Sequence, residues 1–436
     1  MAGEWRKLSL REAGVELIDC DHRTPPDAGT GYPYVAIPQM QGGHIRLSGV
    51  RKITLDNLRE WTKKANPKAN DVVLSRRCNP GETAHVSGEF EFALGQNLVI
   101  LRSRGGEVHP TFLRWLVRGP EWWEQIGKFL NVGAVFDSLR CADVPKFELT
   151  IPPMNAQQDI AGILGALDDK IELNRKMNET LEAMARAFFK SWFVDFDPVR
   201  AKAEGRTTGL PAHIAALFPD SFDCSEQDDI PDGWGLMPLH EIAEFANGAA
   251  YRDMHFSQSN DGLPVIKIAE LKSGVTGATR FTTTNLGEKY RIDSREILFS
   301  WSGNPDTSID TFVWDGGPAW LNQHIFRVRA REDWSRVRIY CQLRLLRPVF
   351  AEIARNKQTT GLGHVTIADM KRLFVCRPPK AVAKAFDGYA NPIFERMITN
   401  QSEIRTLAIL RDVLLPKLIS GELQIPQAER LVEVHI

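Results

Sequence analysis

No run of about 18 apolar residues occurs in the chain, and the opening MAGEWRKLSL lacks the apolar stretch of a secretion signal. Membrane spanning and export are therefore not expected, and a cytoplasmic protein is. Cysteine is sparse: Cys20, Cys78, Cys141, Cys224, Cys341 and Cys376 are scattered without a C-x-x-C pair, which argues for free thiols over a zinc or redox motif. Cys20-Asp21-His22 comes nearest to a metal-ligand cluster, but it lacks further ligands at suitable spacing and reads as a surface turn, so no metal is expected. Charge of one sign is missing too. Lys and Arg total 54 against 55 Asp and Glu, a net charge of -1, so nucleic-acid contact would have to rest on local patches. There is no G-x-x-x-x-G-K-[ST] loop, no H-E-x-x-H, no G-x-S-x-G, no paired Gly-rich cofactor loop and no Asn/Asp-Pro-Pro-aromatic tetrapeptide. Together these gaps favour a binding or scaffolding protein over an enzyme.

What the chain does have is a copy of itself. At 436 residues it has room for two or three domains. SLRCADVPKFELTIPP (138–153) matches HVTIADMKRLFVCRPP (364–379) at an offset of 226 that continues into the following helices, placing Asn174 on Asn400 and Leu181 on Leu407. Upstream, DVVLSRRCNPG matches EILFSWSGNPD, YPYVAIPQMQGGHI matches LPVIKIAELKSGVT, and GQNLVILRS matches NQHIFRVRA, all in the same order. The period is far too long for a solenoid, so two large copies with internal pseudo-twofold symmetry are expected. Short β-rich runs such as YVAI and NLVILRS, bounded by Gly, Pro and Asn and mixed with amphipathic helices, predict α/β (α+β) domains with irregular sheets.

After each Pro-Pro a heptad seam begins. In the first copy it reads Ile160, Leu164, Leu167, Ile171, Asn174, Asn178, Leu181, Ala185, Phe188; in the second it reads Phe386, Ala390, Ile393, Met397, Asn400, Ile404, Leu407, Arg411, Leu414. Such seams predict two long helices packed as an antiparallel coiled coil. With Asn174 and Asn400 near the two midpoints, their amides are expected to face each other and fix register. The polar, Pro-punctuated stretch between copies reads as an exposed connector. Residues 46–77 carry nine Lys or Arg, including Lys63 and Lys64, and residues 327–377 carry twelve; a basic zone in each copy suits phosphate contact at two places.

IPPMNAQQDIAGILGALDDKIELNRKMNETLEAMARAFFKSWFVDFDPVRAKAEG and the closing LLPKLISGEL resemble the shared segments of type I restriction-modification specificity subunits. The resemblance implies a DNA-reading subunit without catalysis. Its layout would be 1–153 target recognition domain 1, 154–193 helix, 194–230 connector, 231–379 target recognition domain 2, 380–420 helix and 421–436 tail. Each recognition domain would read one half of a bipartite double-stranded DNA site, with the helices as a ruler clasped by two methyltransferase subunits and restriction subunits joining them. S-adenosylmethionine, ATP and Mg are expected only on those partners. Polar loop positions that recur between copies are candidate readers: Arg76, Arg77, Asn79, Gln96 and Asn97 in the first copy, and Ser302, Asn304, Gln323, His324, Thr359, Thr360 and His364 in the second. The competing readings are a self-sufficient methyltransferase or nuclease fused to a recognition half, and a coiled-coil scaffold that binds only proteins.

Overall fold

The computed structural model describes residues 4–133, 137–224, 229–331, 333–358 and 362–434. The chain divides into two compact units, Met1–Glu172 with Arg405–Ile436, and Leu173–Ile404. Each unit holds one β-rich domain and a segment of each long helix. Among the described residues no helix is long and apolar enough to cross a membrane.

The long helices run Met154–Phe193 and Lys380–Ile419, 40 residues each, or about 60 Å at about 1.5 Å per residue. Both start directly after the second proline of a Pro-Pro pair, whose carbonyl accepts the first helical bond: Gln157 N–H donates to Pro153 O and Ala383 N–H to Pro379 O, both at 3.0 Å. Proline suits that place because a helix entrance leaves its first N–H groups unpaired anyway.

Seam positions are buried along most of both helices, from Ile160 to Asn174 in the first and at Phe386, Ala390, Met397, Asn400, Ile404, Leu407, Arg411 and Leu414 in the second. The heptad reading fails at one place in each helix. Phe188 is 41% exposed while Phe189 is 1% exposed, and Phe394, not Ile393, is the fully buried residue of its turn. A straight helix drifts about 20° per heptad from a 3.5-residue repeat, so a neighbouring residue eventually takes over the buried face. In the second unit the helix segments run antiparallel: Asn178 Nδ2 donates to Met397 O at 3.0 Å, and further along Phe189 packs edge-on to Phe386 at 5.7 Å.

Asn174 and Asn400, whose amides are expected to face each other, share no hydrogen bond. Both side chains are buried, but Asn400 Nδ2 donates to Asn178 Oδ1 at 2.9 Å. Asn174 Nδ2 and Asn400 Oδ1 have no hydrogen-bond partner among the described residues. An antiparallel seam residue inserts between two successive seam residues of its neighbour. Asn178 takes the contact because its own Nδ2 has a carbonyl to donate to, which leaves its Oδ1 free to accept.

The two β-rich domains repeat one another strand by strand. In the first unit Arg6–Ser9 pairs with Glu148–Ile151, and in the second Gly235–Pro238 pairs with Phe374–Arg377. Val15–Asp19, Leu98–Ser103 and Val72–Ser75 lie in that order in a six-stranded sheet; Ala243–Asn247, Ile325–Ala330 and Ile297–Ser300 repeat the order in a four-stranded one. Beside each, a second sheet, of three strands in the first unit and four in the second, contains one parallel pair, Tyr32–Val35 with Ala93–Leu94 and Leu263–Ile266 with Ala319–Leu321. The strands Tyr32–Val35 and Leu263–Ile266 are entered through glycines at positive φ, Gly31 (106°) and Gly262 (91°). A Cβ there would lie 2.4 Å from Ile53 O and 2.2 Å from Thr282 O.

The connector is not the exposed strap that its composition suggests. Helices Asp197–Ala203 and Ala212–Ala215 place Val199, Ile214 and Phe218 in the core of the second unit with Phe189, Trp192 and Phe386. Val199, Ile214 and Phe218 are buried and Phe196, Leu210, Leu217 and Phe222 are partly buried against them, while Val194 is exposed, so polar composition understates its part in the core.

Candidate nucleic-acid interface

At one end of each main sheet, three chain segments meet through the same backbone contacts. In the first unit Arg76 N–H donates to Asn97 O (3.0 Å), Leu139 N–H donates to Arg76 O (2.9 Å), and Arg77 bridges Ser138. In the second unit Trp301 N–H donates to His324 O (3.3 Å), Val365 N–H donates to Trp301 O (2.8 Å), and Ser302 pairs with His364. Arg77, Gln96, Asn97, Ser302, Gln323, His324 and His364 are thus gathered at equivalent places. Backbone groups hold the corner, so the side chains on it are free to differ.

They do differ. In the first unit Asp19, at the end of its strand, has the Arg76 guanidinium 4.0 Å away, Lys64 at 3.6 Å and His22 at 3.1 Å. Arg76 is only 11% exposed, donates to Leu139 O at 3.4 Å, and so supports the corner from within. Gln96 is exposed, and its carbonyl lies 2.9 Å from His22 Nδ1. Asn79 is exposed on the turn after Arg77, its N–H donating to Arg77 O, while Lys63 caps the helix Leu55–Thr62 beside Glu60.

Asp19, Cys20 and His22 bring three potential metal-ligating atoms within 4.8 Å of one another. Burial first, then the Asp19 charge, pushes the Cys20 thiol up to about 11, Lys64 and Arg76 attend the carboxylate, and His22 is committed to Gln96. These partners describe a hydrogen-bonded corner, not an open ligand set.

In the second unit Trp301 stands where Arg76 does and Asn247 where Asp19 does. The indole Nε1–H donates to Asn247 Oδ1 at 3.0 Å, and the ring stacks on Phe326 (5.6 Å) and tilts against His324 (5.5 Å). Gln323 Nε2 lies 3.2 Å from His324 Nε2, both on exposed residues, and burial lowers the affinity of His324 for a proton. Asn304 plays a turn-forming role: its Oδ1 accepts from the N–H groups of Asp306 (3.0 Å) and Thr307 (3.1 Å). Thr359 and Thr360 lie outside the described residues. Asp19, Ser138, Asn247 and Trp301 at the corner are not among the residues singled out from the sequence, and His22 is singled out there only with Cys20 and Asp21, although Trp301 aligns with Arg76 inside the matched motif. A search limited to recurring polar residues passes over an aromatic at that place.

Many cations of the basic runs are paired within the protein. Arg46 grips Glu172 through two contacts of 2.6 Å. Of the twelve cations in 327–377, Arg329, Arg336, Arg338, Arg344, Arg347, Arg355, Lys357 and Arg377 each pair with an acid of their own unit. Arg344, Arg336 and Arg338 fasten the domain to Glu182, Glu395 and Asp387 of the long helices. Much of this charge is therefore structural, which a residue count cannot reveal.

Comparison with known proteins places the chain among relatives. The family described as type I restriction modification DNA specificity domain matches it twice, over residues 22–183 and 231–385. It is 27% identical over 410 residues to the type I restriction enzyme MjaIX specificity subunit of Methanocaldococcus jannaschii, covering 93% of this chain and 87% of that one. It is 26% identical over 428 residues to the HindI specificity subunit of Haemophilus influenzae, covering 87% and 91%. The crystal structure of a type I restriction-modification S subunit from M. genitalium shares the fold at 15% identity, with a TM-score of 0.53 over 95% of this chain and 96% of that one. Two family matches, falling on the two copies and together spanning most of the sequence, identify the chain as a member of the type I restriction-modification DNA specificity family, a non-catalytic subunit for DNA sequence recognition.

Proposed function

We propose that each recognition domain reads one half of a bipartite DNA sequence with its strand-end corner, and that the long helices set the spacer between the halves. One observation supports this most: the same backbone corner recurs with different side chains, Arg76, Asp19 and Asn97 in one unit against Trp301, Asn247 and His324 in the other. A shared frame with unlike faces suits an asymmetric target, because base edges are discriminated by side-chain chemistry while backbone contacts only position. Gln96 and Gln323 are suited to a bidentate contact with adenine, and Trp301 with His324 to apolar contact with a thymine methyl.

The helices also expose apolar side chains, Leu173 (55%), Met184 (43%) and Phe188 (41%) in the second unit and Ile409 (56%) and Val413 (51%) in the first. These are suitable seats for two methyltransferase subunits, which would carry S-adenosylmethionine, with restriction subunits, ATP and Mg joining in a cytoplasmic complex.

The test is to map modified adenines genome-wide with and without this gene, then with Trp301→Ala. Loss of the whole motif with the gene, and relaxation of one half only with the variant, are expected. A change in both halves would overturn the assignment of the corner. Removing one heptad from both helices shortens each by about 10 Å, so the preferred spacer should contract by about three base pairs at about 3.4 Å each; an unchanged spacer would remove the ruler.

A further inference from the structure

In the first unit the helix seam carries a buried charge that the second unit lacks. Asp168 is 2% exposed, and its carboxylate is reached from three directions: Arg411 on the second long helix at 2.6 Å, and His44 (3.1 Å) and Arg114 (3.4 Å) from the recognition domain. One turn on, Glu172 takes Arg46 at 2.6 Å and lies 3.6 Å from His44. At the equivalent places the second unit has Phe394 for Asp168, Ala185 for Arg411 and Tyr340 for Arg114, all buried.

An apolar seam tolerates sliding, because one methyl-lined hole resembles the next. A buried ion does not, since any slip leaves a charge without its partner in a medium that solvates it poorly. Replacing such a pair by apolar residues is often neutral for stability, so what it confers is a unique register.

We propose that Asp168 and Arg411, with His44 and Arg114, are positioning residues that fix where the first recognition domain sits along the helix segments of its own unit, and hence hold the DNA spacer to one length. This rests on the half-site reading above. The second unit supplies the control, because its own side chains show what an uncharged version looks like.

The experiment uses the full chain assembled with its methyltransferase subunits. In Asp168→Phe/Arg411→Ala/Arg114→Tyr, which copies the second unit, modification is expected at sites one base pair longer or shorter at a tenth or more of the main-site rate, with base preferences in both halves unchanged. Asp168→Asn, which keeps shape and removes charge, should broaden the spacer less and guards against a triple variant that fails to fold. A folded complex of either variant that keeps wild-type spacer selectivity overturns the proposal. A wild-type complex whose modified sites are not bipartite overturns the half-site reading instead, before any variant is made.

Discussion

The first unit and the second solve one packing problem with different chemistry. Where helix meets helix the first buries Asp168 with Arg411, and the second buries Ala185 and Phe394 amid an aromatic cluster of Phe189, Trp192, Phe193 and Phe386. At one contact between domain and helix the contrast runs the other way. Arg344 of the second unit spans Glu182 and Asp310, whereas its equivalent Arg118 makes no ion pair among the described residues and stands over the Trp115 ring at 5.5 Å. A duplicated fold thus preserves shape and strand register more strictly than it preserves the location of charge.

That contrast can be broken most sharply at the aromatic cluster. Phe386→Ala should cost about 4 kcal/mol, since a buried Phe loses both transfer energy and a filled cavity. Ile160→Ala, at the equivalent place in the first unit, should cost about 3 kcal/mol by the same reasoning. Denaturant unfolding of the two variants ranks them, and a reversed order would deny that the cluster dominates.

Acid should separate the units next. Burial, then the Arg114 and His44 charges, push the His85 imidazole down to about 4 from an ordinary 6.5. The unfolded chain therefore takes up a proton that the folded first unit refuses, so stability is intact above pH 6.5 and falls as pH drops towards 4, by about 3 kcal/mol in all. Burial alone would raise the Asp168 carboxyl, but His44, Arg411 and Arg114 outweigh it and hold it well below the usual range. Its contribution is present above the unfolded value and is lost only as pH falls below that. The residue facing Val72 across the sheet is His85, whereas the one facing Ile297 is Val313, so the second unit has no such imidazole. Hydrogen exchange at pH 4.5 should show the first unit opening before the second, and His85→Val should remove the difference.

The smallest effect sharpens the arginine comparison. Arg344→Met strands two partly buried carboxylates and should cost about 2 kcal/mol. Arg118→Met removes a half-buried cation with no ion-pair partner and should change stability by less than about 0.5 kcal/mol, or raise it. Thermal melts of both variants test this, and equal losses would mean that Arg118 is paired in solution.

The duplication, the Pro-Pro helix starts and the seam were legible because a shared offset and an apolar period survive in plain sequence. The partner of Asn400 was not, since choosing between Asn174 and Asn178 depends on whether a neighbouring carbonyl, that of Met397, lies within reach. Nor was the connector, where Val199, Ile214 and Phe218 count for little in composition and for much in the core. At the corner, recurrence in sequence points to Gln96, Asn97, Gln323 and His324, whereas Trp301 and Asn247 come beside them only through the strand pairing and the Trp301–Asn247 hydrogen bond. The turn closed by the Asn304 side chain is likewise a matter of geometry that recurrence does not show.

The corner held by the N–H of residue 76 or 301 has one more consequence. Its main-chain bonds, from the N–H of residue 76 to Asn97 O and of residue 301 to His324 O, do not depend on side-chain identity, so every amino acid except proline can make them at those two positions. Vocabulary and grammar are thereby separated. Under the half-site reading proposed above, a handful of side chains transplanted from one corner to the other should make both corners read the donor's word, turning an asymmetric target into a palindrome.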